Sequence, residues 1–325
     1  MQAIVNERYG SPDVMRLGEV EKPAPGDGEV LIKVMATGLN AADWHMLRAS
    51  PFFVRFMSGF LKPRDTILGA DVAGRVAAVG PNVTAFKPGD AVYGDLAGSG
   101  FGGLAEYVAA PEGLLAHKPA SLSFVEAAAV PMAAVTALQA LRDAGRLQSG
   151  QRVLIHGASG GVGTFAVQIA KALGAVVMAV TSPSKLEMAR SLGAEHVIDY
   201  TRDDFSRDGR QYDLIIAANG DRSLADYERA LTPAGTLVVA GGTMKQLFRT
   251  ILLGKLRSKP GGRTFRALSA KASAADLVFL NDFIEAGQVR PVIDRCYPLA
   301  EAAEAMRYLE AGHARGKIVI VVAEG

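Results

Sequence analysis

Apolar positions change rhythm partway along the chain. Up to about residue 120 they fall in short alternating runs, at 2–8, 29–36, 71–79, 91–93 and 107–109, broken by Gly and Pro. Period-2 alternation between such turns predicts half-buried strands and a β-rich region. From residue 152 the blocks alternate between two periods. The segments 152–156, 175–180, 196–199, 213–217, 235–240 and 264–269 read as strands, and 164–173, 184–192 and 223–231 as helices. Strands separated by helices predict an α/β fold with a doubly wound parallel sheet. Beyond it, helices are expected at 274–286 and 299–311 and a closing strand at 317–322. The chain is thus expected to return to its first region, giving domains at 1–122 plus 271–325 and at 123–270, with a ligand cleft between them.

One turn in this pattern carries chemistry. Gly157-Ala158-Ser159-Gly160-Gly161-Val162-Gly163 lies between the strand at 152–156 and the helix at 164–173. A glycine-dense strand-to-helix turn lets backbone N–H groups and a helix N-terminus approach a diphosphate. Gly160 is expected to bring the main chain against the pyrophosphate and Gly163 to let helix and strand pack closely; Ala158 stands at the fingerprint's first glycine.

The next strand end bears on cofactor choice. A dinucleotide site that takes NAD places Asp or Glu about 20 residues past the glycines to bind the ribose 2′-OH. Here the strand runs into Val180-Thr181-Ser182-Pro183-Ser184-Lys185, with no carboxylate. Hydroxyls and a lysine suit an added 2′-phosphate. NADPH is therefore the expected cofactor.

The whole chain narrows the alternatives. It has 325 residues, enough for two cores, with 49% hydrophobic and 21% charged residues and a formal net charge of +2. That balance gives no general push toward nucleic acid, and no specific nucleic-acid partner is expected. No apolar run reaches membrane-spanning length, and the N-terminus lacks a basic segment leading into an apolar one, so the cytoplasm is the expected compartment. A single cysteine, Cys296, and five scattered histidines offer no disulfide and no metal-ligand spacing, and no metal is expected.

Several motifs occur in order: Gly38-Leu39-Asn40-Ala41-Ala42-Asp43, Leu68-Gly69-Ala70-Asp71-Val72-Ala73-Gly74, Lys87-Pro88-Gly89-Asp90-Ala91-Val92, Ala128-Ala129-Val130-Pro131 leading to Thr136-Ala137-Leu138, the glycine loop, Leu192-Gly193-Ala194 and Gly316-Lys317. On these the chain resembles, over essentially its full length, the medium-chain dehydrogenase/reductase superfamily in its zinc-independent quinone oxidoreductase-like branch, which includes the reticulon-4-interacting-protein-like reductases. The resemblance implies a Rossmann sheet inserted in a GroES-like catalytic domain. Asn40 stands where zinc-dependent relatives have a ligand cysteine, and Gly69-Ala70-Asp71 where they have Gly-His-Glu. Without a Lewis acid, the favoured reaction is hydride addition from NADPH to an already electrophilic acceptor, a quinone or an α,β-unsaturated carbonyl. Reduction of 2-enoyl thioesters is an alternative, as is an NADPH-binding protein whose role is nucleic-acid or partner binding.

By resemblance, Asn40 and Asp43 lie beside nicotinamide and substrate. Asn40 either donates to the substrate carbonyl or fixes the strand end as a turn asparagine. Asp43 either takes part there or orients its loop. Tyr93 and His45 are proton-donor candidates, with packing as the alternative. The resemblance also implies Thr136 at the nicotinamide-side phosphate, Ser159, Gly160, Gly161, Val162 and Gly163 at the pyrophosphate, and Thr181, Ser182, Lys185 and Tyr200 at the adenosine end. Ala217, Asn219, Gly241 and Gly242 fall at strand ends where such ligands bind, and Lys317 is a further candidate from the C-terminal motif. Relatives of this kind are often dimers, so a homodimer is expected.

Two segments remain. The stretch 51–61 carries Phe52, Phe53, Val54, Phe56, Met57, Phe60 and Leu61, and reads either as an entrance for a bulky hydrophobic substrate or as core. The stretch 244–271 holds Lys245, Arg249, Lys255, Arg257, Lys259, Arg263, Arg266 and Lys271 with no Asp or Glu, and Leu247, Phe248, Ile251, Leu252 and Leu256 fall near helical spacing. A lid, a dimer contact, and a weak contact with an anionic membrane surface or substrate all fit that pattern.

Overall fold

The alternating runs of the first 120 residues pair as antiparallel strands, and the later β-branched runs pair as parallel ones. The computed structural model describes residues 1–258 and 261–323, apart from the side chains of Met57 and Met244; Lys259 thus lies outside the described residues. The chain divides into two units, Met1–Val135 with Ala272–Glu285 and Pro291–Gly325, and Thr136–Lys271 with Ala286–Arg290.

The first unit opens with a two-stranded ribbon, β1 (Gln2–Val5) and β2 (Arg16–Glu19). There follow β3 (Glu29–Leu39), α1 (Ala41–Arg48), α2 (Val54–Ser58), β4 (Asp71–Val79), β5 (Ala91–Asp95), β6 (Tyr107–Pro111), β7 (Leu115–His117) and α3 (Phe124–Ala128). A capping box between Ser123 and Glu126 starts α3. This helix packs on β3 and β4, so residues 123–135 join the first unit rather than the second, where they were expected. The helix α4 (Pro131–Leu138) then leads into the second unit.

The second unit contains β8 (Arg152–His156), α5 (Gly161–Ala172), β9 (Val176–Thr181), α6 (Leu186–Ser191), β10 (His196–Asp199), β11 (Tyr212–Ala217), α7 (Leu224–Ala230), β12 (Leu231–Val239), α8 (Met244–Arg257) and β13 (Thr264–Ala267). Its strands form a parallel sheet in the order β10-β9-β8-β11-β12-β13. Because β8 is the earliest strand in sequence, the order reverses between β8 and β11, which is where doubly wound sheets bind ligands. Helices cover both faces of such sheets, so the central strands are apolar throughout; Val153, Leu154, Ile155, Leu214, Ile215 and Ile216 are all buried.

The chain then returns to the first unit through α9 (Ala274–Glu285), β14 (Ile293–Pro298), α10 (Ala302–Glu310) and β15 (Lys317–Val321). The first unit's main sheet runs β14-β15-β3-β4-β5-β7, with β6 beside β3. Val30, Ile32 and Val34 of β3 pack with Val72, Val76 and Val92 in one core, and Leu39 packs with Leu47, Ile318 and Met306 in another.

Candidate functional site

The parallel register sets five strand ends of the second unit side by side. His156 pairs with Val180 on one side and Ala217 on the other, Ala217 pairs with Val239, and Thr181 pairs with Asp199. Ser159, Ser182, Tyr200, Asn219 and Gly241 therefore all leave the sheet at one edge.

The glycines divide their work by local geometry. Gly157 takes φ +86°, and a Cβ there would stand 2.6 Å from the Asn219 backbone nitrogen. It is Gly157, one residue before the fingerprint's first position at Ala158, that makes the tight turn. A Cβ on Gly163 would come within 2.1 Å of the Gly157 carbonyl oxygen, which confirms its packing role. At Gly160 the nearest such atom is 3.9 Å away, so protein leaves that side open. Gly160 is the N-cap of α5, no side chain caps the helix, and its first turn holds no acid. Uncapped N–H groups and a helix dipole suit an anion.

The end of β9 continues this edge. Thr181 is buried, yet its Oγ1 has no hydrogen-bond partner in the structure. Buried polar atoms are rarely left so unless a ligand or water serves them. Ser182 is the N-cap of the short turn Pro183–Lys185 and makes no side-chain cap bond; Lys185 is half-buried, and Tyr200 is exposed. These residues fit a dinucleotide carrying an extra phosphate, with hydroxyls and a cation where a carboxylate would repel it. Thr136 is buried within α4.

Behind the loop lies a neutral polar chain. Gln246 Nε2 donates to Tyr227 Oη at 3.0 Å, and the Tyr227 hydroxyl meets His156 Nδ1 at 2.8 Å. With Tyr227 accepting from Gln246, its own proton points to His156, which then carries its proton on Nε2. Burial, with a smaller contribution from Arg222, lowers the His156 pKa to about 4, so the ring is neutral and supports the β8 end without charge.

A second polar cluster lies in the first unit, where the ends of β3 and β5 and the starts of β4 and β15 meet. Lys317 Nζ donates to the Leu39 carbonyl at 2.9 Å, to Asn40 Oδ1 at 2.5 Å and to Asp71 Oδ2 at 3.1 Å. Asn40 Nδ2 donates to Asp71 Oδ2 at 2.9 Å and to the Gly38 carbonyl at 3.2 Å, and Asp71 Oδ1 accepts from the Met132 backbone N–H at 2.8 Å. Asp95 pairs with Asp71 across β4 and β5. Burial, with the Asp71 charge adding to it, raises the Asp95 pKa to about 7. Among the described residues no group of three or more His, Cys, Asp or Glu side chains is arranged to hold a metal ion.

The geometry bears on three residues for which the sequence left two readings open. Asn40 has both amide hydrogens engaged, by the Gly38 carbonyl and Asp71, which fits the asparagine that fixes the strand end. Asp43 accepts from the backbone N–H groups of Asn40, Gly69 and Ala70 at 2.8, 3.0 and 3.1 Å; burial raises its pKa to about 6, and its work is to hold two loops together. Tyr93 is buried and gives its hydroxyl to Asn281 Oδ1 at 2.5 Å, with the Leu277 carbonyl at 3.3 Å, which fits the packing alternative. Lys317, grouped by sequence with the cofactor residues, belongs to this first-unit cluster. His45 likewise stacks on Trp44 and bonds the Ser50 carbonyl. Asp71 and Asp95 were missed as site residues. Their signal was an acidic residue at the buried end of a strand, Asp71 opening β4 and Asp95 closing β5.

The two remaining segments are also resolved. The 51–61 stretch is not core, because Phe52, Phe53, Phe56, Phe60 and Leu61 are exposed and, among the described residues, only Val54 and Ser58 are buried. The 244–271 stretch splits into α8 and β13; Arg263 and Arg266 donate to the Leu231 and Ala144 carbonyls.

Comparison with known proteins agrees with this geometry. The family described as "Alcohol dehydrogenase GroES-like domain" matches residues 26–120, and that described as "Zinc-binding dehydrogenase" matches residues 192–320. The chain is 37% identical over 326 residues to 2-methylene-furan-3-one reductase of Solanum lycopersicum, covering 96% of this chain and 76% of that protein. It is 34% identical to the chloroplastic NADPH-dependent alkenal/one oxidoreductase of Arabidopsis thaliana, over 98% of this chain and 79% of the relative. Among solved structures, the quinone oxidoreductase from Coxiella burnetii superposes with a TM-score of 0.87 at 32% identity, covering 99% of each chain.

Proposed function

Because the chain belongs to the medium-chain dehydrogenase/reductase superfamily, in its quinone oxidoreductase-like branch, we propose that it reduces a quinone or an α,β-unsaturated carbonyl with NADPH. The observation that carries this reading is the open edge of the second unit's sheet. There an uncapped helix N-terminus and an unpartnered Thr181 hydroxyl adjoin a strand end without a carboxylate. The backbone of Ser159, Gly160, Gly161, Val162 and Gly163 would hold the diphosphate, and Thr181, Ser182 and Lys185 the 2′-phosphate. Tyr200 would stack on the adenine, Thr136 would meet the nicotinamide-side phosphate, and Ala217, Asn219, Gly241 and Gly242 would line the edge. When bound, NADPH supplies the hydride.

The reaction is proposed to need no metal. Asn40, which stands where zinc-dependent relatives have a ligand cysteine, is bonded to an ammonium, Lys317, which is also bonded to Asp71. The acceptor must then be electrophilic on its own, as conjugated carbonyls are. The exposed aromatic side chains at 52, 53, 56 and 60 favour a hydrophobic one, and water suffices to protonate a reactive enolate.

The test is NADPH oxidation against quinones, enones, aldehydes and 2-enoyl thioesters. Turnover is expected with quinones or enones. Turnover confined to thioesters would move the substrate class, and tight NADPH binding without turnover on any acceptor would end the reductase reading.

A further inference from the structure

The helix α8 turns most of its apolar side chains outward. Among the described residues its buried positions are Gln246, Thr250 and Gly254, one every four residues and all polar or small, and the half-buried Leu247 packs on the core beside them. Gln246 is held by Tyr227, Thr250 Oγ1 donates to the Gln246 carbonyl, and a Cβ on Gly254 would stand 3.1 Å from the Phe265 carbonyl oxygen. The opposite face presents Phe248, Ile251, Leu252 and Leu256, which are 50%, 56%, 74% and 81% exposed. A surface helix of a globular domain normally turns its apolar stripe inward, and a contiguous exposed apolar patch marks an interaction surface.

The charges on this face are of one sign. Lys245, Arg249 and Lys255 sit among the apolar side chains, and no ion pair is found for them among the described residues, whereas Arg257 is paired with Glu228 at 2.5 Å. No Asp or Glu occurs from Met244 to Lys271. Two copies of such a face would bring like charges together, which disfavours self-association through it.

We propose that the outer face of α8 docks flat on an anionic lipid bilayer. Phenylalanine and leucine side chains would enter the boundary between headgroups and acyl chains, while lysine and arginine stems lie along them and carry their charges to the phosphates. Fourteen residues give a helix about 21 Å long, ample for one interfacial contact. Among the described residues no helix is long and apolar enough to cross a membrane, so the contact is one with the surface. The inference rests on the helix alone and stands whatever the acceptor is.

Cosedimentation of the full chain with phosphatidylcholine vesicles, with and without about one-third phosphatidylglycerol, tests this. Binding is expected on the anionic vesicles and roughly tenfold less on the neutral ones. The double variant Leu252→Glu/Leu256→Glu is expected to lose roughly tenfold in binding while still binding NADPH, which shows that it is folded. Lys245→Gln and Lys255→Gln should each cost about fivefold. No binding to anionic vesicles, or binding unchanged in the double variant, would overturn the proposal. So would a dimer in light scattering that the double variant breaks while vesicles stay unbound, which would assign the face to a second copy. Capture of an acidic protein without lipid binding would overturn it as well.

Discussion

Every polar atom of Asn40 in the first unit is bonded within the chain, to Asp43, Gly38, Asp71 and Lys317, whereas at the sheet edge of the second unit Thr181 Oγ1 is buried without a partner and α5 begins uncapped. The first arrangement is complete as it folds, because burying an ammonium among carboxylates is tolerable only when the lone pairs and protons are matched. The second leaves donors and acceptors for something else to satisfy. Here the closed cluster reads as scaffold and the open edge, where an unpartnered hydroxyl adjoins an uncapped helix, as a binding surface.

The strongest way to break this contrast is to unbalance the scaffold. Lys317→Met leaves Asp71 buried without its cation, and is expected to cost about 3–5 kcal/mol in denaturant unfolding; a loss below about 1 kcal/mol would mean that the cluster is solvated. Adding Asp71→Asn to that variant should recover part of the loss.

Next come the two glycines. Gly163→Ala forces a methyl against the Gly157 carbonyl and should destabilise the chain by about 3 kcal/mol. Gly160→Ala meets only open space, so its stability should stay near the parent's while NADPH binding falls roughly tenfold. Equal stability losses in both would show that the gap at Gly160 is not a ligand's.

The pH response separates the units more finely. The unfolded-state pKa of Asp95 is near 3.8, and in the folded chain it is about 7. Between those values the folded state holds a proton that the unfolded state has lost, so this group's contribution falls as pH rises. His156 runs the other way: its folded pKa of about 4 lies below 6.5, so its contribution falls as pH drops through that window. Asp95→Asn should therefore make stability climb more steeply with pH by about 1 kcal/mol per unit, and His156→Asn should make it climb less. Unfolding measured at a series of pH values checks both signs; identical slopes in all three proteins would refute them. The smallest effect is on cofactor choice. Lys185→Ala should reduce the preference for NADPH over NADH by roughly tenfold, read by titration of both.

Local pattern carried the second unit well. Its strands are buried on both faces and its helices are short and regular, so β8 and β10 were legible to the residue and the others to within a few. The first unit was harder to read. β14 carries Asp294, Arg295 and Cys296 on a half-exposed edge, and nothing in that composition distinguishes it from a loop. The role of Lys317 was hidden for a different reason. It meets Asp71 and Asn40 across separations of 246 and 277 residues, and no window of sequence shows that a charge at the start of a strand will be buried. The glycine loop was legible because its function depends on backbone, which glycine spacing reports directly; the fate of a side-chain amide depends on neighbours that only the fold supplies.

The placement of β15 has a consequence for how the protein is made. This strand sits between β14 and β3 in the first unit's sheet, and it brings the ammonium that Asp71 awaits. A chain emerging from the ribosome can complete the parallel sheet as soon as residue 271 is out, but the unit that begins the chain must wait for its last strand. Ribosome-stalled chains ending near residue 300 should protect residues 136–271 from protease and leave 1–135 open to it; equal protection of both would show that the first unit does not need its final strand.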